Sequence, residues 1–474
     1  MKLHNTLTRT TAIFKPQQAP VVTLYTCGPT VYDNQHIGNF RKFVFDDMLR
    51  RSLSLHGYEV KHVMNITDVG HLVSDADDGE DKLEKGAKRE GRTPQEVAKH
   101  FTEQFKDDAK KLNILQPNGY KGDGYARATD FIPAQIDIVE RLIQKGFAYQ
   151  TPHAIYFDVY KLASYGELTG QRLSDKIVAA RSDIVTDNQK RNPQDFALWF
   201  FTVDRFADHS MRWPSPWGEG FPGWHLECSA IIHQTLGDPI DIHTGGVDNI
   251  GTHHVNEMAQ TEAAFGHKLA YWWLHAEHLL VESQKMAKSL NNFITVDEVI
   301  NKGHSALALR LLYLQSQYRS QMNFTWESIE AASQKLQSFQ MMADRRWQGS
   351  TVHGVTKEHI HDAKQHILEA LGDDINSPLA LVGLNQLESL VNADGIHEEA
   401  QKDYQDFLEW IDWAFGLDLS QRPDISDEQK ALIAKRDAAR QQQDWHTADK
   451  LRNELAIAKI GIEDTESEPI WYRL

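Results

Sequence analysis

The chain has 474 residues, of which 41% are hydrophobic and 25% charged, and a formal net charge of −17; this is a globular composition spread over three or more domains rather than one core or a disordered chain. The acidic balance argues against a nucleic-acid coat but leaves room for local basic patches. No apolar run approaches the roughly 20 residues of a membrane helix, and the opening MKLHNTLTRTTAIF has no signal-type apolar core, so a cytoplasmic protein without membrane association is expected.

In chain order, residues 21–25 (VVTLY) read as a buried strand and 27–39 as a turn-rich stretch. Phe40, Phe43, Val44, Met48, Leu49 and Leu53 then recur at helical spacing, and 59–66 (EVKHVMNI) read as a second strand. Strand, helix and returning strand make the parallel crossover of an α/β sheet. The charged stretch 75–93 invites comparison with a calcium loop, but its ligand spacing is wrong and Gly86 stands where the bidentate Glu should be, so a solvated helix with its lead-in loop is expected.

Residues 116–215 are less regular and read as an insertion between two halves of the sheet. Strand signals return at 240–243 and 278–281. From about 300 onward the pattern is helical almost throughout, as at Tyr404, Phe407, Leu408, Ile411 and Phe415, with breaks near 349–354 and 417–423. Ser426 with Gln429 predicts a capping box.

Two sites emerge. His36-Ile37-Gly38-Asn39 stands between the first strand and the first helix, at the carboxyl edge of a parallel sheet. There free N–H groups and the helix dipole favour phosphates, and His36 and Asn39 can add hydrogen bonds. Lys285 and Lys288, three apart in KMAKS, could stabilise charge on a departing pyrophosphate. The chain's two cysteines are too few for a disulfide framework and are core thiols, metal ligands or nucleophiles. Cys27 follows the first strand, Cys228 lies in GWHLECSA, and His253 and Glu257 are four apart on one helix face. Two thiolates, an imidazole and a carboxylate suit zinc, with His254 as the competing nitrogen donor.

The strings YTCGPTVYDNQHIGNFR, NITDVG, SPWGEGFPGWHLECSA, DIHTGGVDN, HHVNEMAQ and KMAKSLNNF together resemble the cysteinyl-tRNA synthetases, a class I aminoacyl-tRNA synthetase family, from about residue 20 to the C-terminus. The family's HIGH signature falls on His36–Asn39, with Asn for its last His. Its KMSKS signature falls on Lys285–Ser289, with Ala for its first Ser. In its HHENE pattern Val255 replaces a Glu. The resemblance implies a Rossmann-like parallel-sheet catalytic domain with an inserted connective domain, followed by a helical C-terminal anticodon-binding region. It divides the chain into 1–115 and 216–300 (catalytic halves), 116–215 (insert), 301–348 (helical junction), 349–420 (helical bundle) and 421–474 (anticodon-binding).

It also implies ATP-dependent activation of L-cysteine and transfer to tRNA(Cys), by a chain expected to be a monomer. One Zn²⁺ per chain is held by Cys27, Cys228, His253 and Glu257 and selects the thiol, and Mg²⁺ accompanies ATP. His36, Asn39, Lys285 and Lys288 carry the catalytic roles. His36, Gly38, Asn39, Gly245, Gly246 and Lys288 bind ATP, and Cys27, Thr67, Trp224 and Asp248 bind cysteine, Asp248 through its α-ammonium. Arg440, Trp445, Asp449 and Asp464 match anticodon contacts, with chemistry suited to single-stranded RNA. The competing expectations are a cysteine–amino-sugar ligase of the mycothiol type, which lacks the long C-terminal region, and an inactive tRNA-binding paralogue.

Overall fold

The computed structural model describes residues 1–69, 72–74, 78–170, 189–286, 290, 292–464 and 469–474. It divides into two compact units, one of Met1–Ala306 with Ser316–Thr325 and Gly372–Ile375, the other of Leu307–Gln315, Trp326–Leu371 and Asn376–Leu474.

The first unit is organised by a five-stranded parallel sheet. Its strands are β1 (Val21–Thr26), β2 (Glu59–Ile66), β3 (Tyr125–Arg127), β4 (Ile240–Gly246) and β5 (Ala270–Ala276), in the order β5-β4-β1-β2-β3. Register is in phase across the middle, with Leu24 opposite both His62 and Ile242. Most positions of β1, β2 and β4 are buried, as in a parallel sheet covered on both faces. Helix α1 (Ile37–Leu55) makes the crossover from β1 to β2. Phe40 and Phe43 of α1 pack against Phe105 of the helix Pro94–Lys111, with ring centroids 5.9 and 5.0 Å apart. The chain runs outward from β1 through β2 to β3, then returns to place β4 on the other side of β1. The switch point therefore lies between β1 and β4, where open α/β sheets bind ligands.

Between β3 and β4 lies a second, antiparallel sheet of five short strands, Ala148–Gln150, Ala154–Phe157, Phe196–Phe201, Trp213–Ser215 and Gly218–Pro222. Its central strand, FALWFF, is buried at every position. Phe196, Leu198, Trp199 and Phe201 pack with Phe157, Val139 and Leu142 into one apolar cluster, and Ala197 and Phe200 pack with Phe206 and Phe221 into another. After it come α2 (Trp224–Thr235) and, beyond β4, α3 (Val255–Phe265). Helix Lys82–Glu90 occupies part of the charged stretch, capped by Asp81; residues 75–77 lie outside the described residues.

The second unit is mainly helical: α4 (Trp326–Asp344), α5 (Lys357–Gly372), α6 (Ser377–Asp394), α7 (Gln401–Phe415), α8 (Asp427–Gln441) and α9 (Trp445–Ile457). Leu336, Phe339, Ile367, Leu384, Leu387, Phe407, Leu408 and Ile411 are buried in its interior. The expected breaks separate α4 from α5 and α7 from α8, and the Ser426–Gln429 capping box opens α8. The expectation of helix almost throughout is corrected at two places. Met322–Phe324, in the first unit, adds a parallel strand to Leu279–Val281. Ile460–Glu463 and Ile470–Arg473 form a C-terminal hairpin closing on a core of Leu455, Ile460, Ile462 and Trp471. Strands of three or four residues carry too little periodicity to register locally; pairing makes them.

Candidate active site

The carboxyl ends of β1, β2 and β4 open onto a cleft of about 360 Å³. Cys27 follows β1, Thr67 stands just past β2, and Gly246 ends β4. All three line the cleft with His36, Gly38, Asn39, Trp224, Asp248, His253 and Lys285. The structure thus gathers ten of the sequence-derived positions around one space. Lys288 lies outside the described residues.

At one end, His36 and Asn39 form a reciprocal cap on α1. The Asn39 amide donates to His36 Nδ1 at 3.1 Å, and the His36 amide donates to Asn39 Oδ1 at 3.1 Å. With Nδ1 accepting, a neutral His36 ring carries its proton on Nε2. Burial holds the ring at about 4, far below the ordinary histidine value. Phe293 packs edge-on against it, centroids 5.2 Å apart. The helix N-terminus therefore presents a neutral Nε2 donor and the positive end of the helix dipole to an anion, while the Ile37 and Asn39 amides are engaged by Ile294 and His36.

At the other end, Cys27, Cys228, His253 and Glu257 bring one ligand atom each within 4.8 Å of one another. Cys228 comes from α2, and Glu257 from α3. His253 comes from the π-helical turn Ile250–His254 that leads into α3. That turn carries His253 and His254 inward together, both buried; in an α-helix adjacent residues point roughly 100° apart. His253 Nε2 lies 3.5 Å from Cys228 Sγ and 2.5 Å from Glu257 Oε1. The Glu257 Oε1 atom is buried against the His253 ring. Four donor atoms this close together, two of them thiol sulfurs, fit a soft divalent metal such as zinc. Burial opposes the charge of Glu257, but His253 and His243 outweigh it and hold the carboxyl at about 2. Contact with Cys228 draws the Cys27 thiol down, while burial pushes Cys228 up.

A second donor set, Cys27, His243, His254 and Glu257, meets the same distance limit. It shares two residues with the first, but His243 and His254 do not line the cleft, whereas Cys27 and His253 do. His254 Nε2 lies 3.4 Å from Cys27 Sγ, and its Nδ1 lies 2.8 Å from His275, which contacts Thr6 at 2.8 Å. On the other side, His225 Nδ1 lies 3.1 Å from His253 Nδ1, and His243 Nε2 donates to Glu257 Oε2 at 2.6 Å. Three of the four inner donors, Cys27, His253 and Glu257, thus have an outer histidine beside them. Trp224 stacks on the His253 ring at 4.3 Å and 24°.

Gly245 does not line the cleft. A Cβ there would lie 2.5 Å from His254 Cε1, so its missing side chain makes room for the histidine network. Gly28 is equally constrained: a Cβ would lie 1.7 Å from Asn65 O. Its amide donates to Asn65 Oδ1 at 2.7 Å, Asn65 Nδ2 donates to Thr67 Oγ1 at 3.0 Å, and Thr67 donates to buried Glu227 at 2.8 Å. Asp248 is largely exposed and pairs with His278 at 3.4 Å. Lys285 pairs in register with Leu280 on the strand beside the cleft.

Sequence reasoning missed Lys42, Asp46, Thr244, Asn65, Glu227, His225, His243 and His275. Lys42 and Asp46 carried a readable signal, opposite charges four apart on one helix. The rest are brought together only by the tertiary fold, Asn65, His243, Thr244 and His275 from strands and His225 and Glu227 from α2.

In the second unit, Arg440, Trp445 and Asp464 gather at the α8–α9 pair. Arg440 lies over the Trp445 ring at 5.8 Å and pairs with Asp464. Asp464 also holds buried Arg436 through two bonds of 2.6 and 2.7 Å. Trp445 is exposed, as is Asp449 one turn further along α9. No helix among the described residues is long and apolar enough to cross a membrane.

Residues 13–334 match the family model described as tRNA synthetases class I (C) catalytic domain. Residues 422–471 match the cysteinyl-tRNA ligase anticodon binding domain. A cysteine–tRNA ligase of Treponema denticola is 37% identical over 504 residues, covering 100% of both chains. Cysteine–tRNA ligase 1 of Burkholderia lata is 40% identical over 470 residues, 98% of this chain and 95% of that one. Among solved structures, Mycobacterium tuberculosis methionyl-tRNA synthetase in complex with methionyl-adenylate shares the fold, with a TM-score of 0.59 at 13% identity over 85% of this chain and 92% of that one. The chain belongs to the cysteine–tRNA ligase family of class I tRNA synthetases.

Proposed function

We infer that the chain activates L-cysteine with ATP, giving cysteinyl-adenylate and pyrophosphate, and then transfers the cysteinyl group to the 3′-terminal adenosine of tRNA(Cys). The observation that carries this reading is one cleft with a thiol-bearing donor cluster at one end and a capped helix N-terminus at the other. The substrate's sulfur and the nucleotide's phosphates have separate, chemically matched places.

Cys27, Cys228, His253 and Glu257 would hold Zn²⁺, which supplies a soft Lewis-acid contact that prefers a thiolate to a serine hydroxyl. His253, rather than His254, is the imidazole donor in this reading, because it faces the cleft. Shape alone distinguishes cysteine from serine or alanine by only about 1–3 kcal/mol. Trp224 walls the side-chain pocket beside His253. Asp248 and Thr67 orient the α-amino end of the substrate.

The substrate carboxylate attacks the α-phosphate, and the bond to the departing pyrophosphate breaks. His36 donates from Nε2, and Asn39, Gly38 and Gly246 bring side-chain amide and backbone toward the nucleotide. Lys285 and Lys288 offset charge on the leaving group, and Mg²⁺ accompanies ATP. The work of these residues is positioning and charge stabilisation. In the C-terminal region, Trp445 offers a stacking face, and Arg440, Asp449 and Asp464 offer polar groups to unpaired anticodon bases. The chain acts as a cytoplasmic monomer in this account.

A cysteine–amino-sugar ligase has no use for the region matched at 422–471, and an inactive paralogue has no need of four converged donors. The test is cysteine-dependent pyrophosphate exchange followed by charging of tRNA(Cys). Both are expected; exchange without charging would point to another acceptor, and no exchange in zinc-loaded protein would defeat the reading.

A further inference from the structure

The backbone of Cys27 is held in a closed ring of polar contacts. Its amide donates to the Thr244 carbonyl at 3.1 Å. The Thr244 hydroxyl donates to Asp46 Oδ1 at 2.6 Å. Asp46 Oδ2 pairs with Lys42 Nζ at 2.7 Å, and Lys42 Nζ donates back to the Cys27 carbonyl. Thr244 belongs to β4, and Lys42 and Asp46 are one turn apart on α1, so the ring spans three elements around the switch point. Asp46 and Thr244 are buried, and the Lys42 side chain is only 12% exposed.

A buried ion pair is a poor way to stabilise a fold, because desolvation consumes most of the Coulombic gain and apolar replacements often do as well. This pair does something an apolar pair could not, since it grips the carbonyl of Cys27. Cys27 is the first residue beyond β1; pairing with β4 holds its amide through Thr244, and the Lys42 contact holds its carbonyl.

We propose that Lys42 and Asp46 are positioning residues for Cys27, fixing the backbone that presents its thiol and thereby setting the affinity of the four-donor cluster for its metal and the KM for cysteine. The proposal rests on reading that cluster as the zinc site. Partners that orient a metal ligand typically contribute roughly 10–100-fold to metal affinity.

Lys42→Met alone strands Asp46 as a buried unpaired carboxylate, so the informative variant is the double substitution Lys42→Met/Asp46→Leu, which removes both charges at similar volume. In the full-length protein three quantities are compared with wild type: zinc affinity by competition with a chromophoric chelator, KM and kcat in pyrophosphate exchange, and the thermal midpoint. The double variant is expected to melt within a few degrees of wild type yet bind zinc roughly 10–100-fold more weakly, with the KM for cysteine raised and that for ATP unchanged. Lys42→Arg, which keeps a donor for the carbonyl, is expected to restore most of the zinc affinity. Wild-type zinc affinity and cysteine KM in the double variant would overturn the proposal, as would a melting loss with both unchanged. A wild-type protein that binds no zinc would overturn the metal-site reading as well, a failure visible before any substitution is made.

Discussion

His36 and Asn39 cap each other across the first turn of α1, each side chain accepting from the other's backbone amide at 3.1 Å. The Asn that stands for the last His of the family signature is thus the third residue of a capping box. One pair of side chains both terminates the helix and faces the cleft. The two roles separate by substitution. Asn is a strong N-cap residue, so His36→Asn should keep the helix start, with stability within about 1 kcal/mol of wild type, while activation falls roughly 10²–10³-fold for want of the Nε2 donor. His36→Ala should lose both. Equal activation by His36→Asn and wild type would remove the ring from the chemistry.

The same histidine makes an acid-side expectation. Burial lowers its folded value to about 4 from an ordinary 6.5, and burial lowers His62 as well. As pH falls through 6.5 the unfolded chain takes up these protons first, so stability is full above about 6.5 and is lost toward 4. Denaturant midpoints measured across that window should fall less steeply for His36→Asn than for wild type. Identical slopes would contradict the buried, neutral assignment.

Gly245→Ala tests the outer histidines. Its Cβ would lie 2.5 Å from His254 Cε1, and His254 stands 3.4 Å from Cys27 Sγ. A loss of roughly 1–3 kcal/mol is expected from the overpacking, together with a raised KM for cysteine. A KM that stays put would mean that His254 can move without disturbing Cys27.

How much of this was legible varies with the range of the interaction. β1, α1 and β2 could be read because their apolar spacing is local and they follow one another directly. The Ser426–Gln429 cap could be read because a capping box spans four residues. The metal cluster could be assembled only with the family resemblance: Cys27 and Cys228 are far apart in sequence, and nothing near either announces the other. The supporting residues were beyond reach for the same reason. His225, His243 and His275 lie on α2, β4 and β5, and only sheet order sets them around His253, His254 and Glu257. The C-terminal hairpin escaped because Ile460–Glu463 and Ile470–Arg473 are strands only by virtue of each other.

The C-terminal region separates folding from recognition. Asp464 holds the buried Arg436 guanidinium, so Asp464→Asn should weaken that region by about 2 kcal/mol, the scale of hydrogen bonds to charged groups. Trp445 is 57% exposed, so Trp445→Ala should leave melting unchanged while raising the KM for tRNA(Cys) roughly 10-fold through lost stacking. Pyrophosphate exchange should be untouched in both. A Trp445→Ala protein that charges tRNA normally would remove that ring from the RNA surface.

The most direct test of the central claim, that the Cys27–Cys228–His253–Glu257 cluster holds a metal that reads the substrate thiol, is spectroscopic. Cobalt substituted for zinc in the full-length protein reports thiolate ligation through its sulfur-to-metal charge-transfer band. The account predicts one metal per chain, a band that grows when L-cysteine is added and not when L-serine is added, and a weakened band in Cys228→Ser. A stoichiometric metal whose spectrum ignores L-cysteine, or an unchanged spectrum in Cys228→Ser, would contradict it.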